Sequence, residues 1–115
     1  MKKHRLLKSI IVKKSSEFTD IIQNGKHLSS SFFTIAYLKY DFLKIGFTSK
    51  RGGNAVRRNY LKRVGRELAR TCEQLWIIEA KVIIISKETV HNAPFQLLKN
   101  DFRELILKVA EKSNL

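Results

Sequence analysis

Lys50, Arg51, Arg57, Arg58, Lys62, Arg63, Arg66 and Arg70 crowd into one stretch of this chain, and the acid among them is Glu67. Ammonium and guanidinium groups at this density suit phosphate. Lysine offers a compact charge, and arginine a planar fork of donors. On a helix at about 100° per residue, Arg58, Lys62, Arg66 and Arg70 recur every fourth position and form one stripe. Val56, Tyr60, Val64 and Leu68 form a second stripe, displaced by two positions, or about 200°. The spacing predicts a helix that seats its apolar stripe on a core and shows cations outward. A solvated helix would intersperse acids for i,i+4 pairing, and this one hardly does. The counter-charge is therefore expected from a polyanionic partner. Arg57 leans toward one flank. Arg63 lies between the stripes and could support packing instead. Asn59 can hydrogen-bond a base edge, a phosphate or a metal-bound water, or simply be solvated.

Other chemistry finds no constellation. His4, His27 and His91 lie far apart and lack the paired spacing of zinc ligands. Gly52-Gly53 is not followed by the Gly-Lys-Ser/Thr of a phosphate loop, and no dinucleotide fingerprint appears. Glu17, Asp20, Glu67 and Glu73 fall on predicted helices among many cations without forming an acid/base pair. Cys72 is the one cysteine, so no intrachain disulfide can form, which fits a reducing cytosol. It falls in line with Leu61 and Leu68 and reads as small core packing. A catalytic thiol would want a histidine partner, and none is local. No catalytic residue and no metal site are expected in the protein itself.

The chain has 115 residues, 23 Lys and Arg against 10 Asp and Glu, a formal charge of +13 and 43% hydrophobic residues. That length suits one domain, here residues 1–115, burying about 65% of its unfolded surface. The charge opposes compaction by self-repulsion, so a small domain carries it for a reason. Membrane binding is not expected. The basic helix lacks a bulky apolar face, and the aliphatic run Val82 to Ile85 is far too short to span a bilayer. Lys8 breaks the early apolar run, and Lys13-Lys14 follow where a small-residue cleavage site would lie. A cytoplasmic protein is expected.

The elements that must position the cations follow from local pattern. Residues 1–14 are basic and expected to be flexible. Ser15 or Ser16 can cap a short helix with Glu17 in its first turn; Phe18, Ile21 and Ile22 form its apolar face, and Gly25 ends it. Lys26 to Ser30 supplies a short strand, and Ser31 to Tyr40 a longer one. Lys39-Tyr40-Asp41 reads as a hairpin, followed by alternation of Leu43, Ile45 and Phe47 with Lys44, Gly46 and Thr48. Gly52-Gly53 breaks that strand, Asn54 can cap the basic helix, and the helix should run to about Gln74. Lys81 to Lys87 reads as a strand buried on both faces. Pro94 opens a last helix with Phe95, Leu98, Phe102, Leu105, Ile106 and Val109 inward. The order is α-β-β-β-α-β-α in a single α+β domain.

Gly53-Asn54-Ala55-Val56-Arg57-Arg58-Asn59-Tyr60-Leu61-Lys62-Arg63 closely resembles the signature of bacterial ribonuclease P protein subunits. That signature runs Gly-Asn-Ala-Val-x-Arg-Asn-Arg-x-Lys-Arg, and Tyr60 is the departure at a fixed place. Arg66-Glu67, Ile45-Gly46-Phe47-Thr48, Ser49-Lys50-Arg51, Ser16-Glu17-Phe18 through Gly25, and Val82 to Ser86 continue the likeness. It covers roughly Phe18 to the last helix. The loop between Gly46 and Gly53 looks one residue short, the spacer between Arg5-Leu6 and Phe18 looks long, and Ile22 stands where the family often has an aromatic residue.

The resemblance implies a four-stranded sheet packed with helices, like a ribosomal-protein domain, with a left-handed βαβ crossover through the basic helix; the general rule for crossovers gives the opposite hand. It implies two RNA partners, a catalytic ribonuclease P RNA and precursor tRNA, and no DNA. The RNA subunit would remove the 5′ leader with Mg2+ held through that RNA, none being bound by the protein alone. Lys50, Arg51, Asn54, Arg57, Arg58, Asn59, Lys62, Arg63, Arg66 and Arg70 are implied RNA contacts. Phe18 and Ile22 are implied for the leader groove. At Phe18, stacking competes with plain core packing; at Ile22, core packing is favoured. The main rival is a structural protein that binds ribosomal RNA. A DNA-binding regulator lacks the helix that should precede the basic one, and a protein-only nuclease lacks a carboxylate cluster.

Overall fold

β-Branched and aromatic residues, alternating or in a continuous apolar run, build a sheet whose inner strands are β2 (Phe33–Lys39) and β4 (Ala80–Ser86). Strands β1 (Lys26–Ser29) and β3 (Lys44–Ser49) lie at its edges, in the order β1-β2-β4-β3. The computed structural model describes residues 10–49 and 55–113. β4 runs antiparallel to β2 and parallel to β3. A parallel pair needs a crossover, and α2 (Ala55–Thr71) supplies it.

Two cores follow from covering both faces. Ile83 of β4 and Ala36 of β2 pack with Val12 and Ile21 under α1 (Ser15–Asn24). On the other face Val82, Ile84, Phe33 and Ile35 meet Leu61, Val64 and Leu68 of α2. Leu98, Phe102, Leu105, Ile106 and Val109 of α3 (Phe95–Ser113) complete that core. Phe33 and Phe102 meet edge to face, with centroids 5.5 Å apart.

Several expectations are corrected. Lys39-Tyr40-Asp41 is no hairpin, because β4 inserts between β2 and β3. The most apolar strand takes a central place, where both neighbours and both faces are covered. Tyr40 N–H donates to Glu79 O (3.2 Å) and so extends the β2–β4 ladder. Neither Ser15 nor Ser16 caps α1: Lys14 holds that place without a side-chain bond, and its carbonyl accepts from Glu17 and Phe18 N–H. The segment expected to be flexible is seated at its end. Val12 is buried, its N–H donates to Ile45 O (2.9 Å), and Ile11 bridges Ile45. α2 stops at Thr71, short of Gln74, and a 3₁₀ turn, Glu73–Ile77, follows. A second 3₁₀ turn, Glu88–Asn92, precedes α3 and holds His91. Phe95 is exposed, because the buried face of α3 begins at Leu98.

The helical phase of α2 also shifts. Its buried residues are Leu61, Val64, Gly65, Leu68 and Ala69, while Val56 is 76% and Tyr60 41% exposed. The buried Ser86 hydroxyl, on the last residue of β4, donates to Leu61 O (3.0 Å). Leu61 therefore stands level with the end of the strand. Val56 and Tyr60 precede it and have no strand beneath them.

Candidate nucleic-acid interface

α2 lies against the sheet at Gly65, where a Cβ would be in ordinary contact with Phe47 Cδ1 and Ser86 Oγ, 3.4 Å from each. This seat turns Asn59, Lys62, Arg63 and Arg66 away from the core, where all four are exposed and line one shallow depression. Lys62, Arg63 and Arg66 make no ion pair among the described residues. The Arg66 guanidinium lies 5.6 Å from the centroid of the Phe47 ring. Arg58 is exposed one turn before Lys62. Arg63, which could have served packing, points outward instead.

Two predicted cations are turned to acids of the protein. Arg57 pairs with Glu88 (3.0 Å), and Arg70, half-buried, pairs with Glu67 (3.1 Å). Lys50, Arg51 and Asn54, with the Gly52-Gly53 break, lie outside the described residues.

Lys62 and Arg66 also border a second depression. Its other wall is Ser15, Phe18 and Thr19 of α1 with Ile11, Val12 and Lys13; Phe47 and Thr48 of β3 belong to it as well. Because β3 is an edge strand and the Ile45 carbonyl faces Val12, the backbone of Phe47, two residues on, turns the same way. The groove thus combines a sheet edge, an aromatic ring and cations on one side.

Phe18 is half-buried. Its ring lies over Gly46 and packs beside the small core of Ile21, Ala36 and Ile83. The structure therefore gives Phe18 both a packing role and a place on the groove wall. Ile22, one turn on, does not take the core place expected of it: it is exposed, because α1 buries Ile21 instead, and it is not part of that lining; its carbonyl accepts from His27 Nε2 (2.8 Å).

Glu17, next to Phe18, fixes α1 to the sheet. Its carboxylate accepts from Lys44 on β3 and Lys81 on β4, each 3.1 Å away. Burial works against its charge. The two lysine bonds and charges prevail and hold the carboxyl below the usual carboxylate range.

Sequence reasoning missed Lys13, Ser15, Thr19 and Thr48 as groove residues. Counting from Phe18 in steps of three and one would have found Ser15 and Thr19. It also missed that Tyr60 stacks on His91, which needs the position of the second 3₁₀ turn. Cys72 is buried as expected, and burial pushes its thiol up. Among the described residues no three His, Cys, Asp or Glu side chains gather to hold a metal ion, and no helix is long and apolar enough to cross a membrane.

A basic α+β domain with a cationic helix beside an open groove defines a nucleic-acid-binding protein. The family model described as Ribonuclease P matches residues 6–110. The ribonuclease P protein component of a Thermoanaerobacter species is 32% identical over 108 residues, covering 88% of this chain and 90% of that one. That of Syntrophus aciditrophicus is 37% identical over 90 residues, 76% of each. The solved RNase P protein of Staphylococcus aureus shares the fold, with a TM-score of 0.74 at 24% identity, over 90% of this chain and 96% of that one. The chain belongs to the ribonuclease P protein family. It is accordingly the protein subunit of an endoribonuclease of tRNA processing that also contains RNA, and the reading as a structural ribosomal protein is set aside.

Proposed function

We propose that this subunit binds two RNAs at adjoining surfaces and leaves the chemistry to one of them. The outer face of α2, with Arg58, Asn59, Lys62, Arg63 and Arg66, lies against the backbone of the catalytic RNA. Lys50, Arg51 and Asn54, which precede α2 in the sequence, are proposed contacts of the same RNA. The groove between α1 and β3 takes the 5′ leader of precursor tRNA, with Phe18 presented to a leader base. The observation that carries this reading is that Lys62 and Arg66 border both depressions. One row of cations can then neutralise phosphates of both strands and fix their relative position.

Arg57 and Arg70 contribute less, because each already faces an acid of the protein. Mg2+ belongs with the RNA subunit. The protein is expected to hold no ion of its own. The protein alone is expected to cleave nothing, and it is expected to work in the cytoplasm.

The test is reconstitution. Purified protein, a bacterial ribonuclease P RNA and precursor tRNA are mixed at low magnesium, with each component omitted in turn. Leader release that needs both RNA subunit and protein supports the proposal. Specific release by protein without the RNA subunit, surviving rigorous nuclease removal, overturns it.

A further inference from the structure

We propose that Tyr60, backed by His91, is a stacking platform for an unpaired RNA nucleobase at the flank of the cationic face of α2. This rests on the RNA-binding reading above and adds to it a base contact outside the leader groove.

Tyr60 stands in a helix turn that overhangs the end of β4, and it keeps 41% of its surface exposed. Its ring stacks on His91, with centroids 5.1 Å apart and planes 21° from parallel. That contact covers one face of the tyrosine, while the residue as a whole stays exposed. The Nε2 atom of His91 is buried and has no hydrogen-bond partner among the described residues. The stack with Tyr60 is the contact that joins the imidazole to α2. The Arg57–Glu88 pair ties the same 3₁₀ turn to α2 at a second point, so the lower ring is braced.

The surroundings identify the occupant. Asn59 precedes Tyr60 directly and Arg63 follows it by three positions, so the platform adjoins the depression lined by Asn59, Lys62 and Arg63. A backbone held there by cations would carry its bases past the flank where Tyr60 is exposed. A flat ring accepts any base through its π-face. Val56, one turn earlier and 76% exposed, extends the apolar surface under such a base. A protein partner would need to neutralise the same cations without offering phosphates, in a chain of net charge +13. The base can come from the catalytic RNA or from precursor tRNA, and the experiment separates them.

Full-length protein is titrated against a ribonuclease P RNA, and the reconstituted holoenzyme against precursor tRNA, across a salt series. The variants are Tyr60→Phe, Tyr60→Leu and Lys62→Ala. Stacking predicts that Tyr60→Phe binds as the parent does, while Tyr60→Leu weakens binding by about 5–150-fold with the salt slope unchanged. Loss in the first titration places the base in the catalytic RNA; loss confined to the second places it in precursor tRNA. Lys62→Ala should weaken binding and lower the slope. If it does so while Tyr60→Leu binds as the parent, the platform is wrong and the RNA-binding surface stands. If neither variant changes either titration, both fail. Equal weakening by Tyr60→Phe and Tyr60→Leu would make the hydroxyl the contact and overturn stacking. Thermal melts accompany each variant. Should Tyr60→Leu fail to fold, His91→Leu removes the backing ring instead: weakened binding supports the platform, and parental binding overturns it.

Discussion

The ring of Phe18 occupies the space that a side chain at position 46 would need. A Cβ on Gly46 would stand 2.8 Å from Phe18 Cζ and 2.6 Å from Ile83 Cδ1. Gly46 thus makes room beneath the groove wall by having no side chain. It lets the ring from α1 lie down on β3, so that the ring packs inward while still lining the groove with Thr19 and Thr48.

Gly46→Ala is therefore expected to act on the groove through Phe18. Ile83 is sealed in the core, and Phe18 is half-buried, so Phe18 is the group that yields. Overpacking should cost about 1–3 kcal/mol of stability. Affinity for precursor tRNA should fall while affinity for mature tRNA, which has no leader, holds. Urea unfolding and the two binding titrations check this. Parental stability and affinity together would remove Gly46 from the account.

How much of this was legible in the sequence depends on the range of the interaction. The element order, the doubly buried β4 and the apolar face of α3 from Leu98 to Val109 follow from local periodicity. The outward cations of α2 were legible too, because Lys62 and Arg66 lie far from any choice of buried face. The exact buried face was not. Val56 and Tyr60 share a period with Val64 and Leu68, and only the level of Ser86 against Leu61 shows that the sheet ends before them. The false hairpin at Tyr40 has the same origin: chain adjacency suggested pairing, and the long-range pairing of β4 with both β2 and β3 decided otherwise. The groove needed the packing of α1 across the sheet, which periodicity does not encode; only the family likeness pointed to Phe18.

Phe18→Leu separates packing from stacking. Leucine keeps part of the apolar contact with the small core, so the stability loss should stay below the roughly 3–5 kcal/mol of removing the side chain to Cβ. The flat face is lost, and binding of precursor tRNA should weaken by roughly 1–3 kcal/mol, with mature tRNA unaffected. Equal weakening for both substrates, alongside a large stability loss, would retire the leader contact and leave only the packing role.

The cations of α2 should divide by their partners. Lys62→Ala and Arg66→Ala should each lower the salt slope of RNA binding by about 0.7–0.9, the loss of one phosphate contact. Folding stability should hardly move, since both side chains are exposed. Arg57→Ala and Arg70→Ala should change the slope less, because Glu88 and Glu67 already face them. Four equal slopes would show that the pairing within the protein does not decide which cations reach RNA.

Glu17 makes the seat of α1 sensitive to acid. Its folded carboxyl lies below the usual range, so folding favours the charged form. The stability it contributes is present in full above the unfolded value of about 4.3 and is lost as pH falls through the lowered folded value. Lys44 and Lys81 face each other across β3 and β4, each with less than a quarter of its side chain exposed. Glu17→Gln leaves these two like charges without their shared anion. It should cost roughly 1–3 kcal/mol at neutral pH. The penalty should shrink as pH drops below about 4, where the parent protonates as well. Urea unfolding of both proteins from pH 7 to pH 3 measures it: the curves should converge toward acid. A constant gap would mean that Glu17 acts through packing and not through its charge. Because Phe18 follows Glu17 on the same helix, the variant should also bind precursor tRNA more weakly at neutral pH. Parental affinity there would show that the groove wall holds without the carboxylate.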